Sequence, residues 1–336
     1  MELKICTTNE YPHLLDVLNE AFGFGETEFF QRELTHCTPY PNIATTSEIE
    51  HHMICVIDGQ IVGALGTYPM DIVIGETNET INAYGVGQVC CLKQYRNRGV
   101  MTALMKNSAK RMHEEGRTIG FLTGDRRRYG HFGYDFGGSV TSYTLDKLLL
   151  AKHIAIPGLT GAYQDKNPRH QADSLSQGST YVKRNCFSTG KNLTTRQAVY
   201  DDWHELNEAY QTMPFYVKRD ARKWELHFKR TNLQWHIGEC EGRKGYIAVK
   251  EPGTIVELYG DPHVLTEMLL DRANSLEEGK RLNITYATGI NTPIGKLLYN
   301  TAAGISNRPV GLFAGDDSSN GFERLPAVWI PTVDYI

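Results

Sequence analysis

Val89-Cys90-Cys91-Leu92-Lys93-Gln94-Tyr95-Arg96-Asn97-Arg98-Gly99-Val100-Met101-Thr102-Ala103-Leu104-Met105 is the stretch on which the fold turns. Its first four residues close an apolar run, residues 81–92, that reads as a long strand. From residue 100 to 115 the apolar side chains Met101, Leu104, Met105, Ala109 and Met112 recur at helical spacing, and Gly116 closes the helix. Between strand and helix lies a turn rich in arginine and glycine. The first amides of a helix have no internal partner and point out of its end, and the helix dipole adds partial positive charge there. Gly99 lets the backbone approach a ligand closely, and Arg96 and Arg98 add charge. Such a turn suits a pyrophosphate. On its own it equally suits a solvated basic loop at a helix start.

Working outward, the first half alternates strand and helix. Residues 3–7 alternate like a strand, and residues 11–22 carry Leu14, Leu15, Leu18, Ala21 and Phe22 at helical spacing. Residues 53–57 and 61–66 read as a hairpin around Asp58-Gly59, a pair that tolerates positive φ. Residues 118–123 form a short strand, and a turn or short helix follows at 129–136. Residues 157–190 are rich in Gly, Pro, Ser, Asn and Gln, which marks a crossing segment or exposed hairpin. A new helix is expected from near Thr195, with Leu206 and Tyr210 on its apolar face.

The second half echoes the first. Leu18-Asn19-Glu20-Ala21-Phe22 recurs as Leu206-Asn207-Glu208-Ala209-Tyr210. Asp58-Gly59-Gln60-Ile61-Val62-Gly63 has a counterpart in Glu241-Gly242-Arg243-Lys244-Gly245, and Glu114-Glu115-Gly116 in Glu277-Glu278-Gly279. Three echoes in one order on one set of elements imply a duplicated unit. The expectation is an α/β fold with mixed sheets: a first domain at 1–150, a crossing segment at 151–195, a second domain at 196–310 and a strand segment at 311–336. Residues 326–336 should pack back onto a sheet.

At 336 residues the chain is too long for one ordinary core. With 40% hydrophobic and 22% charged residues its composition is that of a globular protein. No run approaches the roughly 18 apolar residues of a membrane helix. Met1-Glu2-Leu3-Lys4-Ile5 enters a strand-like alternation without a basic then apolar leader, so a cytoplasmic chain is expected. A net charge of −4 argues against nucleic acid as a partner. Seven scattered cysteines, none in a C-x-x-C pair, read as reduced buried thiols and give no metal site.

Arg96-Asn97-Arg98-Gly99 followed by the helix Val100-Met101-Thr102-Ala103-Leu104-Met105 resembles the coenzyme A loop of the GNAT N-acetyltransferase superfamily. Downstream, Tyr129-Gly130-His131-Phe132-Gly133-Tyr134 is similar to that superfamily's Tyr-x-x-x-Gly-Phe/Tyr signature. Together with Phe121-Leu122-Thr123 the motifs look closest to the Eis-type (enhanced intracellular survival) branch, which also carries a second GNAT-like domain. Met101 stands where the superfamily has Gly or Ala, and the Eis-type branch likewise has a bulky residue there.

The resemblance implies an enzyme that moves an acetyl group from acetyl-CoA to a primary amine of a small molecule or peptide, acting as a homo-oligomer. It implies that the backbone of Val89, Cys90 and Cys91 pairs with the pantetheine arm. It also implies that Arg96, Asn97, Arg98, Gly99 and Val100 hold the pyrophosphate, with the Thr102 hydroxyl beside them. Acyl transfer to an amine needs three things: a base for an ammonium of pKa about 10.4, a donor for the carbonyl, and a proton for the departing thiolate. By resemblance Tyr129 supplies that proton; the bland alternative is a core tyrosine. Asp125 either serves as base or amine orienter, or pairs with one of Arg126, Arg127 and Arg128. Glu26 and Glu28 either receive a cationic amine or form a solvated helix start. In the Eis-type branch the C-terminal carboxylate, here that of Ile336, acts as base. The stretch after Gly304 is too short for that branch's sterol-carrier-like third domain, which stands against transferring the role.

The second half lacks the equipment. Between its expected strand at 255–259 and a helix from Pro262 there is only Gly260-Asp261, with no arginine. Asp261 caps the helix and would repel a pyrophosphate. This half is read as degenerate. A competing reading of the whole chain is a non-catalytic acyl-CoA sensor or scaffold, which would keep the loop and have no need of Tyr129. A thiol enzyme using Cys90 or Cys91 is disfavoured, since no histidine lies nearby in sequence.

Overall fold

The computed structural model describes residues 1–24, 46–154, 182–185, 192–229, 233–251, 253–287, 292–309 and 311–315. The chain runs β1 (Glu2–Ile5), α1 (Tyr11–Phe22), α2 (Thr46–Ile49), β2 (His52–Ile57), β3 (Gln60–Ile74), β4 (Glu79–Cys91), α3 (Val100–Glu114), β5 (Ile119–Leu122), α4 (Arg126–Tyr129) and β6 (Asp135–Gly137). It continues through β7 (Val140–Leu145), α5 (Lys147–Ile154), β8 (Val182–Asn185), β9 (Asn192–Gln197), α6 (Trp203–Tyr210), β10 (Phe215–Val217), α7 (Ala221–Lys229) and β11 (Gln234–Cys240). The last elements are β12 (Arg243–Glu251), β13 (Thr254–Gly260), α8 (Pro262–Ser275), β14 (Leu282–Ala287), α9 (Pro293–Thr301), β15 (Ala302–Arg308) and β16 (Gly311–Gly315).

These elements form two units, neither a continuous stretch. Met1–Val140, Met213–Thr231 and the chain from Asn307 make the first; Thr141–Thr212 and Asn232–Ser306 make the second. The linear divisions at 150, 195 and 310 cut across both. The reason is visible in the pairing. β10 lies antiparallel to β3, Tyr216 opposite Val73, and Arg222 on α7 forks onto both carboxylate oxygens of Glu48 at 2.8 and 3.0 Å.

In the first unit the sheet order is β1-β2-β3-β4-β5-β16-β6. α1 packs on one face through Tyr11, Leu14, Leu15 and Leu18, the i, i+3, i+4, i+7 stripe of its sequence. Gly23, at φ 81, ends it. α3 packs on the other face. Its buried stripe is Val100, Leu104, Met105 and Ser108, while Ala109 is exposed and Met101 and Met112 are half-buried. The stripe expected from Met101, Ala109 and Met112 is therefore turned. Val100 is the anchor: a Cβ on Gly63 of β3 would lie 2.7 Å from the Val100 Cγ1, so Gly63 is the gap that lets the helix start sit down on the sheet.

Read from β9, the second sheet runs β9-β11-β12-β13-β14-β7-β15, with β8 added at its outer edge. Place for place this is the order of the first sheet. The hairpin turns also match: Asp58 and Gly59 lie at φ 51 and 79, Glu241 and Gly242 at φ 56 and 74. In both sheets the fourth and fifth places form a parallel pair, β4 with β5 and β13 with β14. The helix expected from Thr195 begins later, at Trp203. Thr194 and Thr195 are β-branched and lie in β9, opposite Glu239 and Gly238 of β11. Residues 157–190 lie largely outside the described residues; their one described piece, β8, forms an antiparallel pair with β9. Residues 326–336 lie wholly outside.

The sixth place is where the two halves of the chain trade strands. β7 follows β6 directly yet belongs to the second sheet, and β16, from far downstream, fills the place between β5 and β6. Leu312 pairs with Leu122 and Phe313 with Phe121. Both β16 side chains are buried, and the two phenylalanine rings lie 5.0 Å apart. Phe313→Ala should remove about 3–5 kcal/mol, read as a lower urea midpoint for the first unit. An unchanged midpoint would mean that β16 is not part of that core.

Candidate functional site

β4 and β5 run together only briefly. Their parallel register covers Ala83–Ile119, Tyr84–Gly120 and Gly85–Phe121, and β4 then continues to Cys91 beside β3 alone. Beyond Gly85 the β5 side of β4 thus carries backbone donors and acceptors with no strand in register among the described residues, an edge that an extended ligand can pair with. This edge holds a bulge. Ala64 pairs with Cys90 and Gly66 with Gly87, so Gln88 and Val89 share the single partner Leu65. Gln88 takes φ 48, unusual for a side chain that is not glycine.

The chain leaves β4 through Leu92 and a short 3-10 turn, Lys93–Tyr95. Asn97 and Gly99 lie at φ 64 and 77, and Arg96, Asn97, Arg98 and Gly99 are all exposed. The Arg98 guanidinium lies over the Tyr95 ring, 5.2 Å from its centre. Gly99 is the N-cap of α3, and no side chain caps the helix. Gly99 is itself exposed, and a Cβ there would meet nothing within 4 Å. Thr102 is exposed on the first turn. The counterpart helix α8 has the opposite arrangement. Asp261 accepts from His263 N at 2.9 Å and Val264 N at 3.2 Å, so its own carboxylate occupies that end.

Tyr129 ends α4, buried among Val100, Leu104, Met105 and Tyr134 in the α3-side core. A Cβ on Gly124 would lie 2.5 Å from its ring. Burial raises its pKa, with Arg128 acting weakly in the other direction, so the hydroxyl keeps its proton at neutral pH. Asp125 is the N-cap of α4: its carboxylate accepts from Arg127 N at 2.9 Å and from the Arg127 guanidinium at 3.0 and 3.3 Å. Those bonds lower its pKa and hold it ionised. Arg126 instead pairs with Asp135 through two bonds of 2.5 and 2.7 Å.

Cys90 faces the α1-side core and burial pushes its thiol up to about 12; the Cys91 thiol is also raised. Neither supplies a thiolate at neutral pH. Glu26, Glu28 and Ile336 lie outside the described residues. Among the described residues no group of His, Cys, Asp and Glu could hold a metal ion, and no helix is long and apolar enough to cross a membrane.

Three residues next to the bulge escaped the sequence reading. His52 is fully buried, its Nδ1 3.2 Å from the Ile49 carbonyl oxygen. Tyr68 Oη lies 2.9 Å from His52 Nε2, and its hydroxyl donates to Gln88 Oε1. The one local hint was a glutamine inside an apolar strand, flanked by Gly85 and Gly87.

Comparison with known proteins agrees with this geometry. Residues 2–137, less than half of the chain, match the family model of the acetyltransferase (GNAT) domain. Among solved structures the chain is similar to a GCN5-related N-acetyltransferase from Kribbella flavida, at 14% identity and TM-score 0.61, over 93% of this chain and 71% of that one. A conserved protein from Enterococcus faecalis described as a probable N-acyltransferase gives 15%, 0.63, 93% and 72%. Eis1 from Mycobacterium abscessus gives 13%, 0.56, 94% and 74%. At these identities the likeness is one of fold. No curated protein matches the sequence.

Burial lowers both His51 and His52 to about 4, so both are neutral at pH 7. His236 in the second unit is also lowered to about 4. An unfolded histidine titrates near about 6.5. As pH falls the unfolded chain therefore takes up protons first. This stability is complete above about pH 6.5 and is lost between there and about pH 4. The urea midpoint should be level from pH 8 to 7 and fall toward pH 4.5, less steeply in His52→Gln. An equally steep fall in that variant would show that His52 is not the buried neutral group described.

Proposed function

We propose that the protein is an N-acyltransferase that moves an acetyl group from acetyl-CoA to a primary amine of a small molecule or peptide, by direct attack in a ternary complex. The observation that carries this reading is the exposed start of α3, without a side-chain cap, beside the edge of β4 that no described strand pairs with. The equivalent helix in the second unit is closed by Asp261. A helix start left without a side-chain cap, with its amides and dipole directed outward, is suited to an anion.

Acetyl-CoA, when bound, supplies an activated acyl thioester. The free amides from Gly99 to Thr102, with Arg96 and Arg98, would hold its pyrophosphate. The unpaired backbone around Val89, Cys90 and Cys91 would hold its arm as an added strand. The bulge offers an amide to the carbonyl as negative charge develops. Tyr129, kept protonated by burial, is suited to give a proton to the departing sulfur. Asp125, ionised and tied to Arg127, is a weak base and better suited to orient an ammonium. In this reading the second unit is a degenerate GNAT-like domain without a catalytic centre; the Eis-type branch and the homo-oligomer follow from resemblance, and the cytoplasmic setting from the sequence of the first residues and the scattered cysteines.

Calorimetry with acetyl-CoA should give saturable binding to the wild type. Arg98→Glu should weaken it roughly tenfold or more, about 1.4 kcal/mol. CoA release with a panel of polyamines, aminoglycosides and lysine peptides should fall in Tyr129→Phe at unchanged acetyl-CoA affinity. Binding with no release on any amine would favour the sensor reading, and no binding would overturn the site.

A further inference from the structure

The bulge on β4 needs support. Gln88 sits at φ 48, in the left-handed region where a side chain crowds the following carbonyl. A residue stays there only when its surroundings over-determine it. Those surroundings are visible on the α1 side of the sheet. The Tyr68 hydroxyl donates its one proton to Gln88 Oε1, and His52 Nε2 lies 2.9 Å from Tyr68 Oη; a neutral His52 has a single ring proton, so it donates either to Tyr68 through Nε2–H or to the Ile49 carbonyl, 3.2 Å from Nδ1, and not to both. The three side chains are 8%, 7% and 0% exposed, so no water competes for these bonds. The His52 and Tyr68 rings meet edge to face at 5.7 Å, and Tyr11 of α1 closes over His52 at 5.8 Å.

Gly66 completes the arrangement. It lies on β3 between Ala64 and Tyr68, at the level of the bulge. A Cβ there would fall 2.4 Å from Tyr68 Oη and 2.7 Å from Gln88 Oε1. The hydroxyl and the amide thus meet in the space that the missing side chain leaves. Four residues on three strands converge on one backbone conformation.

We infer that His52 and Tyr68 are positioning residues: they lock Gln88 in its left-handed conformation and so fix where the amides of Gln88 and Val89 point. This rests on the acyltransferase reading, in which one of those amides polarises the thioester carbonyl. An amide misplaced by an ångström loses most of its effect on a developing oxyanion. The lock acts at a distance from substrate, through the backbone of the bulge.

The test follows the carbonyl itself. [1-13C]acetyl-CoA bound to the full chain is examined by isotope-edited infrared spectroscopy, and its affinity is measured beside that of CoA. In the wild type the thioester stretch should lie below its value in water. Tyr68→Phe should leave the CoA affinity within about twofold while the stretch returns toward the water value. Single-turnover acetyl transfer to the best amine should fall roughly 10- to 100-fold. Gly66→Ala, which pushes hydroxyl and amide apart, should behave alike. Glycine adopts φ 48 unaided, so in a Gln88→Gly background the further change Tyr68→Phe should alter neither stretch nor rate. A wild-type stretch in Tyr68→Phe, or an undiminished effect of that change in Gln88→Gly, would overturn the lock and leave the acyltransferase reading standing. A wild type that binds no acetyl-CoA would overturn the acyltransferase reading itself.

Discussion

Where β4 parts from β5, beyond the Gly85–Phe121 pair, the sheet has a row of main-chain donors and acceptors with no strand beside them among the described residues. Backbone groups left unpaired in a protein interior are costly, so a gap of this kind persists only if the elements around it are held apart. The long β3–β4 ladder holds one side, from Ile74–Glu79 to Gly63–Cys91. On the other side β5 is held by β16, with Phe313 packed against Phe121. The bulge at Gln88, the turn through Asn97 and Gly99, and the start of α3 on Gly63 all lie along the open stretch.

The second unit shows how little separates a site from a scaffold. Its sheet has the same order, its hairpin the same pair of positive-φ turn residues, and its central helix the same place. The difference is one connection. In the first unit Leu92 to Gly99 intervene between strand and helix, while in the second only Asp261 stands between β13 and α8. With no loop to carry arginines, the helix closes its own end with a carboxylate. That is a more stable terminus by about 1 kcal/mol, and its carboxylate repels an anion. In the proposed reading, function belongs to the turn and not to the fold that carries it.

Much of this was legible because it is local. The stripe of α1, the Asp58-Gly59 turn, the Arg-rich turn before α3 and the Asp261 cap each depend on residues a few positions apart. The strand at β9 was misread because Leu193-Thr194-Thr195 shows its strand character only against β11, more than forty residues on. The α3 stripe was misread by one position because Val100 finds its partner at Gly63, which spacing alone does not reveal. The assembly of His52, Gly66, Tyr68 and Gln88 draws on three strands and a bulge. In sequence it is four unremarkable residues; only the register of β2, β3 and β4 brings them together. Asp125 illustrates a different limit, since an acid before a run of arginines is compatible with catalysis and with capping, and the bond from Arg127 N shows the second without bearing on the first.

The exchange of the sixth strands has a consequence for biosynthesis. The partner that β5 needs lies about 190 residues further along the chain, Leu312 against Leu122. At roughly 5–20 residues per second, translation takes about 10–40 s to cover that distance. Throughout that interval the nascent first unit carries an open edge at β5 with Phe121 uncovered. Pairings of such long sequence separation are also slow to form once the chain is complete. The unit that bears the candidate active site is thus the first to be translated and among the last to be finished, and its newborn edge is the place where a chaperone would hold it or a neighbouring chain would capture it.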